Sequence, residues 1–68
     1  MKTRIKVKSR ATGRIYDALV MTENLYFNKW RAMILVNTNY GLFYDGVSYS
    51  EAAAIEKLRE QLQNWQKV

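Results

Sequence analysis

The residues of this sequence best suited to a chemical role are cations that alternate along its first ten positions. Lysine or arginine occupies every second position there: Lys2, Arg4, Lys6, Lys8 and Arg10. Successive side chains of a β-strand point to opposite faces, so this spacing predicts one row of cations about 27 Å long, at ~3.4 Å per residue. Cations held in line repel each other, and a polyanion that spans them releases counterions as it is neutralised. The chemistry predicted for this segment is therefore phosphate binding.

The excess of positive charge belongs to the first half of the chain. The 68 residues carry 11 Lys and Arg against 6 Asp and Glu, a net charge of +5. Residues 1–34 hold eight of the cations and only Asp17 and Glu23, so this half carries +6. We expect the following residues to bind nucleic acid, DNA rather than RNA: Lys2, Arg4, Lys6, Lys8, Arg10, Arg14, Lys29 and Arg31. The alternative is an edge strand whose lysines prevent edge-to-edge aggregation.

Residue types that support catalysis or metal binding are scarce. The chain has no Cys and no His, which removes thiolate and imidazole ligands and the commonest general base. No glycine-rich segment accompanies a serine, as an oxyanion loop would. We therefore predict that the protein is not an enzyme and has no catalytic residue, metal or cofactor. The longest apolar run, residues 32–36, is far shorter than the roughly 20 residues of a membrane span. We expect a cytoplasmic protein with no membrane partner.

Four strands and a helix must position these residues. After the first strand, the predicted elements are a hairpin loop over 11–14, a second strand over 14–22, a connection over 22–28, a third strand over 29–37, a fourth strand over 40–47 and a helix over 50–66. Asp45-Gly46 predicts a tight turn at or near the end of the fourth strand. The fold class is α+β, one domain over 1–68. An antiparallel sheet of three to four strands (2–47) carries one C-terminal helix on one face, in the order ββββα.

The register of the first hairpin decides which residues share the basic face. A four-residue loop over 11–14 would place Lys8 opposite Asp17, which pairs opposite charges, and would leave Leu19 and Met21 on the basic face. A three-residue loop would move these two apolar residues to the other face, but it would bury Asp17 beside an apolar neighbour. We prefer the four-residue loop.

The helix begins with a capping signal. Ser50 is the preferred N-cap, and Ser48 with Glu51 could instead form a capping box. An apolar stripe follows at helical spacing: Ile55, Leu58, Leu62 and Trp65. We expect Trp65 to share one core with Trp30. Tyr26, Tyr40 and Tyr44 could stack on bases or contact a partner protein.

The sheet has more apolar residues than one helix can cover. Four of them face away from the helix and are predicted interface residues: Leu19, Met21, Met33 and Leu35. Such a patch could pair with a second copy, close into a curled barrel or bind another protein. We expect a homodimer first and a protein partner second.

The third and fourth strands and the start of the helix resemble a known family. The residues that carry the resemblance are KWRAMILVN at 29–37, YGLFYD at 40–45 and SEAAA at 50–54. They resemble the second half of the AP2/integrase-arm type of DNA-binding domain, over about residues 13–62. That resemblance implies a three-stranded sheet that lies in the major groove, with one helix behind it. This chain departs from the family by a basic first strand and by lacking its glycine-rich opening. The basic first hairpin, the later Trp-Arg strand and the C-terminal helix also resemble small archaeal chromatin proteins.

These features predict a small, basic, non-enzymatic protein that binds nucleic acid, or an accessory protein of the kind that phages and mobile elements encode. Its basic hairpin face would contact phosphates, and Lys29 and Arg31 would contact bases or backbone. The alternative is a protein-interaction module or a small inhibitor that acts through the apolar sheet face.

Overall fold

Alternating and β-branched residues fold into an antiparallel sheet in the computed structural model, which describes residues 2–68. The elements are β1 (Lys2–Ser9), β2 (Ile15–Tyr26), β3 (Lys29–Val36), β4 (Leu42–Ser48), α1 (Glu51–Gln61) and β5 (Trp65–Lys67). The strand order is β4-β3-β2-β1-β5, and α1 lies on one face over β3 and β4. The α+β class is confirmed, although the sheet has five strands and the helix is followed by one of them.

The first hairpin closes one residue earlier than predicted. The Ser9 amide donates to the Arg14 carbonyl at 2.9 Å, so the loop spans residues 10–13 rather than 11–14. Gly13, the last loop residue, has φ +74°, which glycine adopts without strain. The register therefore differs by two residues, and Lys6 rather than Lys8 lies opposite Asp17. A shift of two preserves the faces, because side chains alternate with a period of two.

The second strand is longer than its composition suggested. Residues 22–28 were expected to form a connection, but β2 continues to Tyr26 and only Phe27 and Asn28 form the turn. Asn28 has φ 59°, a left-handed conformation that asparagine tolerates. The prediction was wrong because pairing with β3 satisfies the backbone of this polar segment.

The Asp45-Gly46 pair lies inside β4 and is not a turn. Gly46 is paired with Ala32 of β3 and lies under the helix. A Cβ atom built at Gly46 would lie 2.9 Å from the Leu58 amide nitrogen and 3.0 Å from the Ala54 carbonyl oxygen. The missing side chain therefore allows α1 to approach the sheet closely. The strand begins at Leu42 instead of residue 40, after a turn in which Gly41 has φ +66°.

The helix begins where predicted and ends earlier. The Ser50 hydroxyl accepts from the Ala53 amide at 3.2 Å and caps the helix, as the preferred interpretation expected. The Glu51 carboxylate accepts from the Thr22 hydroxyl at 3.2 Å. Helical structure ends at Gln61 rather than residue 66, and residues 65–67 form β5 against β1. The second half of β1 has an edge whose backbone groups β2 leaves unpaired, and residues 65–67 pair with that edge.

The core lies between the helix and the inner faces of the strands. Its buried members are Val7, Ala18, Ala32, Ile34, Val36, Ala54 and Leu58. Trp30 and Trp65 both pack against this cluster while half-buried, so the expected shared core is confirmed. The Trp65 ring meets the Tyr16 ring edge to face at 5.8 Å, and its indole N–H donates to the Tyr44 hydroxyl at 3.3 Å. These contacts hold β5 and the helix end against the sheet.

Candidate functional site

The sheet face opposite α1, which we call the outer face, collects most of the predicted site residues. The strand registers align them in three rows across the sheet: Val47, Arg31 and Glu23; then Asp45, Met33, Met21 and Lys2; then Phe43, Leu35, Leu19 and Arg4. In the second and third rows, the side toward β1 carries cations, the middle is apolar, and the side toward β4 carries an aromatic ring and a carboxylate. The predicted cations and the predicted interface residues thus lie on one continuous surface.

The cations of β1 form the predicted row. Lys2, Arg4, Lys6 and Lys8 are all exposed and share the outer face. Within residues 2–68, only Lys6 of this row has an ion pair, to Asp17 at 3.8 Å. Both of its members are largely exposed, and such a surface pair contributes little to stability. The row therefore keeps its positive charge available to a ligand.

The end of the first hairpin extends this row. Val36, the last residue of β3, is paired with Ala18 of β2. The part of the hairpin between β1 and β2 that lies on the loop side of Ala18 therefore projects beyond β3 and β4, and β5 pairs with the edge of β1 there. This projection contributes to an elongated shape of 39 × 19 × 18 Å. It carries four exposed cations, which we call the basic ribbon: Lys6, Lys8, Arg10 and Arg14. The projecting end is thus the most strongly cationic part of the hairpin.

The two predicted cations of β3 lie apart from the row and are already engaged. The Arg31 guanidinium binds the Asp45 carboxylate, with Nη2 and Oδ2 at 3.0 Å, and lies 3.8 Å from Glu23. It also lies 5.7 Å from the centre of the Phe43 ring. The Lys29 ammonium donates to the hydroxyl of a neighbouring tyrosine at 3.0 Å. A nucleic acid would have to displace these partners, so the base-contacting role of these two residues remains a prediction.

The apolar middle of the outer face is only partly covered. Met33 is buried among its neighbours, whereas Leu35 exposes 42% and Phe43 exposes 48% of its surface. At one end of this patch, a cavity of about 440 Å³ is lined by Arg4, Asp17, Ala18, Leu19, Leu35, Val36, Asn37 and Gly41. Phe43 was not among the predicted site residues, although its alternation with Tyr44 in a β-strand indicates that the two lie on opposite faces.

Other kinds of site find less support in the described part of the chain. Across residues 2–68, no three His, Cys, Asp or Glu residues lie close enough to hold a metal ion. No helix in this range is long and apolar enough to cross a membrane. Comparison with family models, curated proteins and solved structures gave no match.

Proposed function

We propose that the protein is a small nucleic-acid-binding module that contacts the phosphate backbone through its first hairpin. The residues we assign to phosphate contacts are Lys2, Arg4, Lys6, Lys8, Arg10 and Arg14. The observation that carries the proposal is the cation row of β1, with the exposed Arg10 and Arg14 at the loop end of the hairpin. From Lys2 to Lys8 the row is about 20 Å long at ~3.4 Å per residue, the length of about six phosphates of one strand.

Protection of a sheet edge accounts for only part of this charge. The first residues of β1 lie at an edge, so Lys2 and Arg4 could serve to prevent aggregation. Lys8, however, is paired with Gln66 of β5, and Arg10 and Arg14 lie at the hairpin end, outside β1 and β2. Cations at these positions protect no edge, and a polyanionic ligand explains them.

The test is the salt dependence of binding, measured by fluorescence anisotropy with a labelled DNA duplex. With about six phosphate contacts, the slope of log K against log salt should be near −5, from about −0.9 per contact. The double variant Lys6→Ala with Lys8→Ala should flatten this slope by about two units and weaken all sequences alike. The matched control is Lys57→Ala with Arg59→Ala, which removes the same charge from exposed positions on the helix.

The control decides whether the surface or the net charge is responsible. The control variant should keep nearly the parent slope, because its cations lie on the other side of the sheet. Equal losses in the two double variants, or parent binding that does not respond to salt, would contradict the proposal. Duplex RNA and single-stranded DNA in the same assay test the preference for duplex DNA, which the resemblance to AP2/integrase-arm domains favours. Arg31→Ala tests base reading, since a base contact should cost about 1–3 kcal/mol on a preferred site only.

A second candidate function is protein binding through the outer face, as in an interaction module or a small inhibitor. Its support is the exposed apolar surface of Leu35 and Phe43 in the middle of that face. This function predicts that the Lys6 and Lys8 substitutions leave partner binding nearly unchanged.

The first proposal also includes a phage or mobile-element origin and a cytoplasmic location. The absence of cysteine supports the cytoplasmic location.

A further inference from the structure

The outer face is complementary to itself in charge. Along its second and third rows, one side of the sheet carries a group that the other side can bind. The second row begins with Asp45 on β4 and ends with Lys2 on β1, and the third row begins with Phe43 and ends with Arg4. Between these ends, both rows are apolar. This pattern suggests a partner that presents the same rows in the opposite order.

Two simple two-fold axes lie in the plane between the outer faces of two packed copies: one runs parallel to the strands and the other perpendicular to them. Only the first makes a second copy of the chain present the rows in the opposite order. An axis parallel to the strands, between β2 and β3, exchanges β1 with β4 and β2 with β3 but keeps each row at its height. Lys2 then faces Asp45 of the second copy, and Arg4 faces the Phe43 ring. In the first row, Arg31, which already binds Asp45 and Glu23 of its own chain, also faces Glu23 of the second copy. Each of these contacts joins a cation with a carboxylate or an aromatic face.

The other in-plane axis, perpendicular to the strands, gives the opposite result. It places β1 over β1 of the second copy, so that two cation rows face each other across the roughly 10 Å that separates packed sheets. Like charges so opposed repel. The distribution of charge on the outer face therefore distinguishes the two arrangements.

We propose that the protein forms a homodimer in which the outer faces of two copies pack together about a two-fold axis parallel to the strands, between β2 and β3. In the centre of this interface, Leu19 faces Leu35 of the second copy, and Met21 faces Met33. Packed sheets of this kind are rotated by about 30° relative to each other. The central apolar contacts lie next to the axis, so this rotation displaces them least.

The size of the patch sets the expected strength of the dimer. The patch spans four strands spaced about 4.8 Å apart and three rows spaced about 6.8 Å apart, so its projected area is about 400 Å² per copy. The total of about 800 Å² lies below the roughly 1,200–2,000 Å² of stable specific interfaces, so the dimer is a weak one that dissociates on dilution. The proposal rests on the outer face and not on nucleic-acid binding. In the dimer, Lys2 and Arg4 lie in the interface, whereas the basic ribbon lies beyond the three rows and stays free for phosphate contacts. The parallel axis places both hairpin loops at the same end of the dimer.

The first measurement is the molar mass by light scattering from about 10 µM to 1 mM, a range suited to a weak interface. The parent should approach the mass of a dimer at the upper end. Leu35→Glu should give a folded monomer throughout, since it places like charges at the centre of the interface. The control Tyr40→Glu adds the same charge at a loop residue that is 94% exposed and outside the outer face, and it should dimerise like the parent.

If Leu35→Glu fails to fold, Phe43→Lys tests the same interface at a more exposed position, because it places a cation opposite Arg4 of the second copy; its control is Tyr40→Lys. A parent that stays monomeric at about 1 mM would overturn the proposal. A folded Leu35→Glu or Phe43→Lys variant that dimerises like the parent would also overturn it.

The second measurement identifies the axis. The chain has no cysteine, so Ala11→Cys in the exposed loop accepts a single spin label without competing sites. Two loops at the same end lie about 14 Å apart, from two strand spacings and the distance between sheets, which gives label distances of about 15–30 Å. Loops at opposite ends would be about 50 Å apart. The longer distance would refute the parallel axis, and the shorter distance supports it whatever the outcome of the salt titration.

Discussion

Replacing Gly46 by alanine tests the close contact between α1 and the inner face of the sheet, on which the stability of the sheet depends. Gly46 has no positive φ, so alanine is compatible with its backbone and the cost is purely steric. The new Cβ would lie 2.9 Å from the Leu58 nitrogen, 2.9 Å from the Lys57 Cβ and 3.0 Å from the Ala54 carbonyl oxygen. Two of these three atoms are helix backbone, which cannot rotate away. The helix must therefore move outward as a unit, and its contacts with β3 and β4 loosen.

The expected loss of stability follows from two opposing contributions. Overpacking costs about 1–3 kcal/mol, and the upper part of this range, about 2–3 kcal/mol, applies because backbone atoms are involved. Alanine gains back about 0.5–1 kcal/mol, because glycine loses more backbone entropy in a strand. The net loss is about 1–2.5 kcal/mol. A chain of this length unfolds with an entropy of about 0.14 kcal/mol/K, so Tm should fall by about 7–17 °C.

Thermal and urea unfolding followed by circular dichroism measure this effect. Ser48→Ala is the matched control, since it lies on the same face of β4 two residues further and should change stability by less than about 0.5 kcal/mol. Without the helix contact, Gly46→Ala would stabilise the protein, because only the entropy gain would remain. A Tm equal to or above that of the parent would therefore refute the close approach of α1 at Gly46.

Four further substitutions test the parts of the fold around the site. In urea unfolding, Leu58→Ala should lower the free energy of unfolding by about 3 kcal/mol, and Leu62→Ala should lower it clearly less. The reason is that Leu58 is only 3% exposed, whereas Leu62 is half-buried. Equal losses would contradict this difference in burial. Ser50→Ala should cost about 1 kcal/mol by removing the N-cap bond, and an unchanged midpoint would argue against that bond. Trp65→Ala should detach β5 from β1, because it removes the ring that packs on Tyr16. Hydrogen exchange should then show fast exchange of the amides of residues 65–67, while the amides of β3 stay protected. Slow exchange of residues 65–67 would mean that β5 is held without the Trp65 ring.

Features that depend on local patterns could be predicted from the amino-acid sequence. Alternation of Lys and Arg with apolar residues placed the β1 cations on one face, since the two-residue period of a strand does not depend on its neighbours. For the same reason, the two-residue error in register left Leu19 and Met21 on the basic face. Ser50 could be identified as the N-cap because its hydroxyl bonds an amide only three residues away.

Features that depend on pairing between distant segments could not be predicted from local patterns. Residues 65–67 have a helical pattern in sequence, yet they form β5 because the unpaired edge of β1 satisfies their backbone. Gly46 looked like a turn residue, and its role under the helix appears only when Ala54 and Leu58 are brought against it. Arg31 looked free for a ligand, but the pairing of β3 with β2 and β4 brings Glu23 and Asp45 to its guanidinium. Contacts between residues far apart in the chain depend on register and packing, which no local pattern encodes.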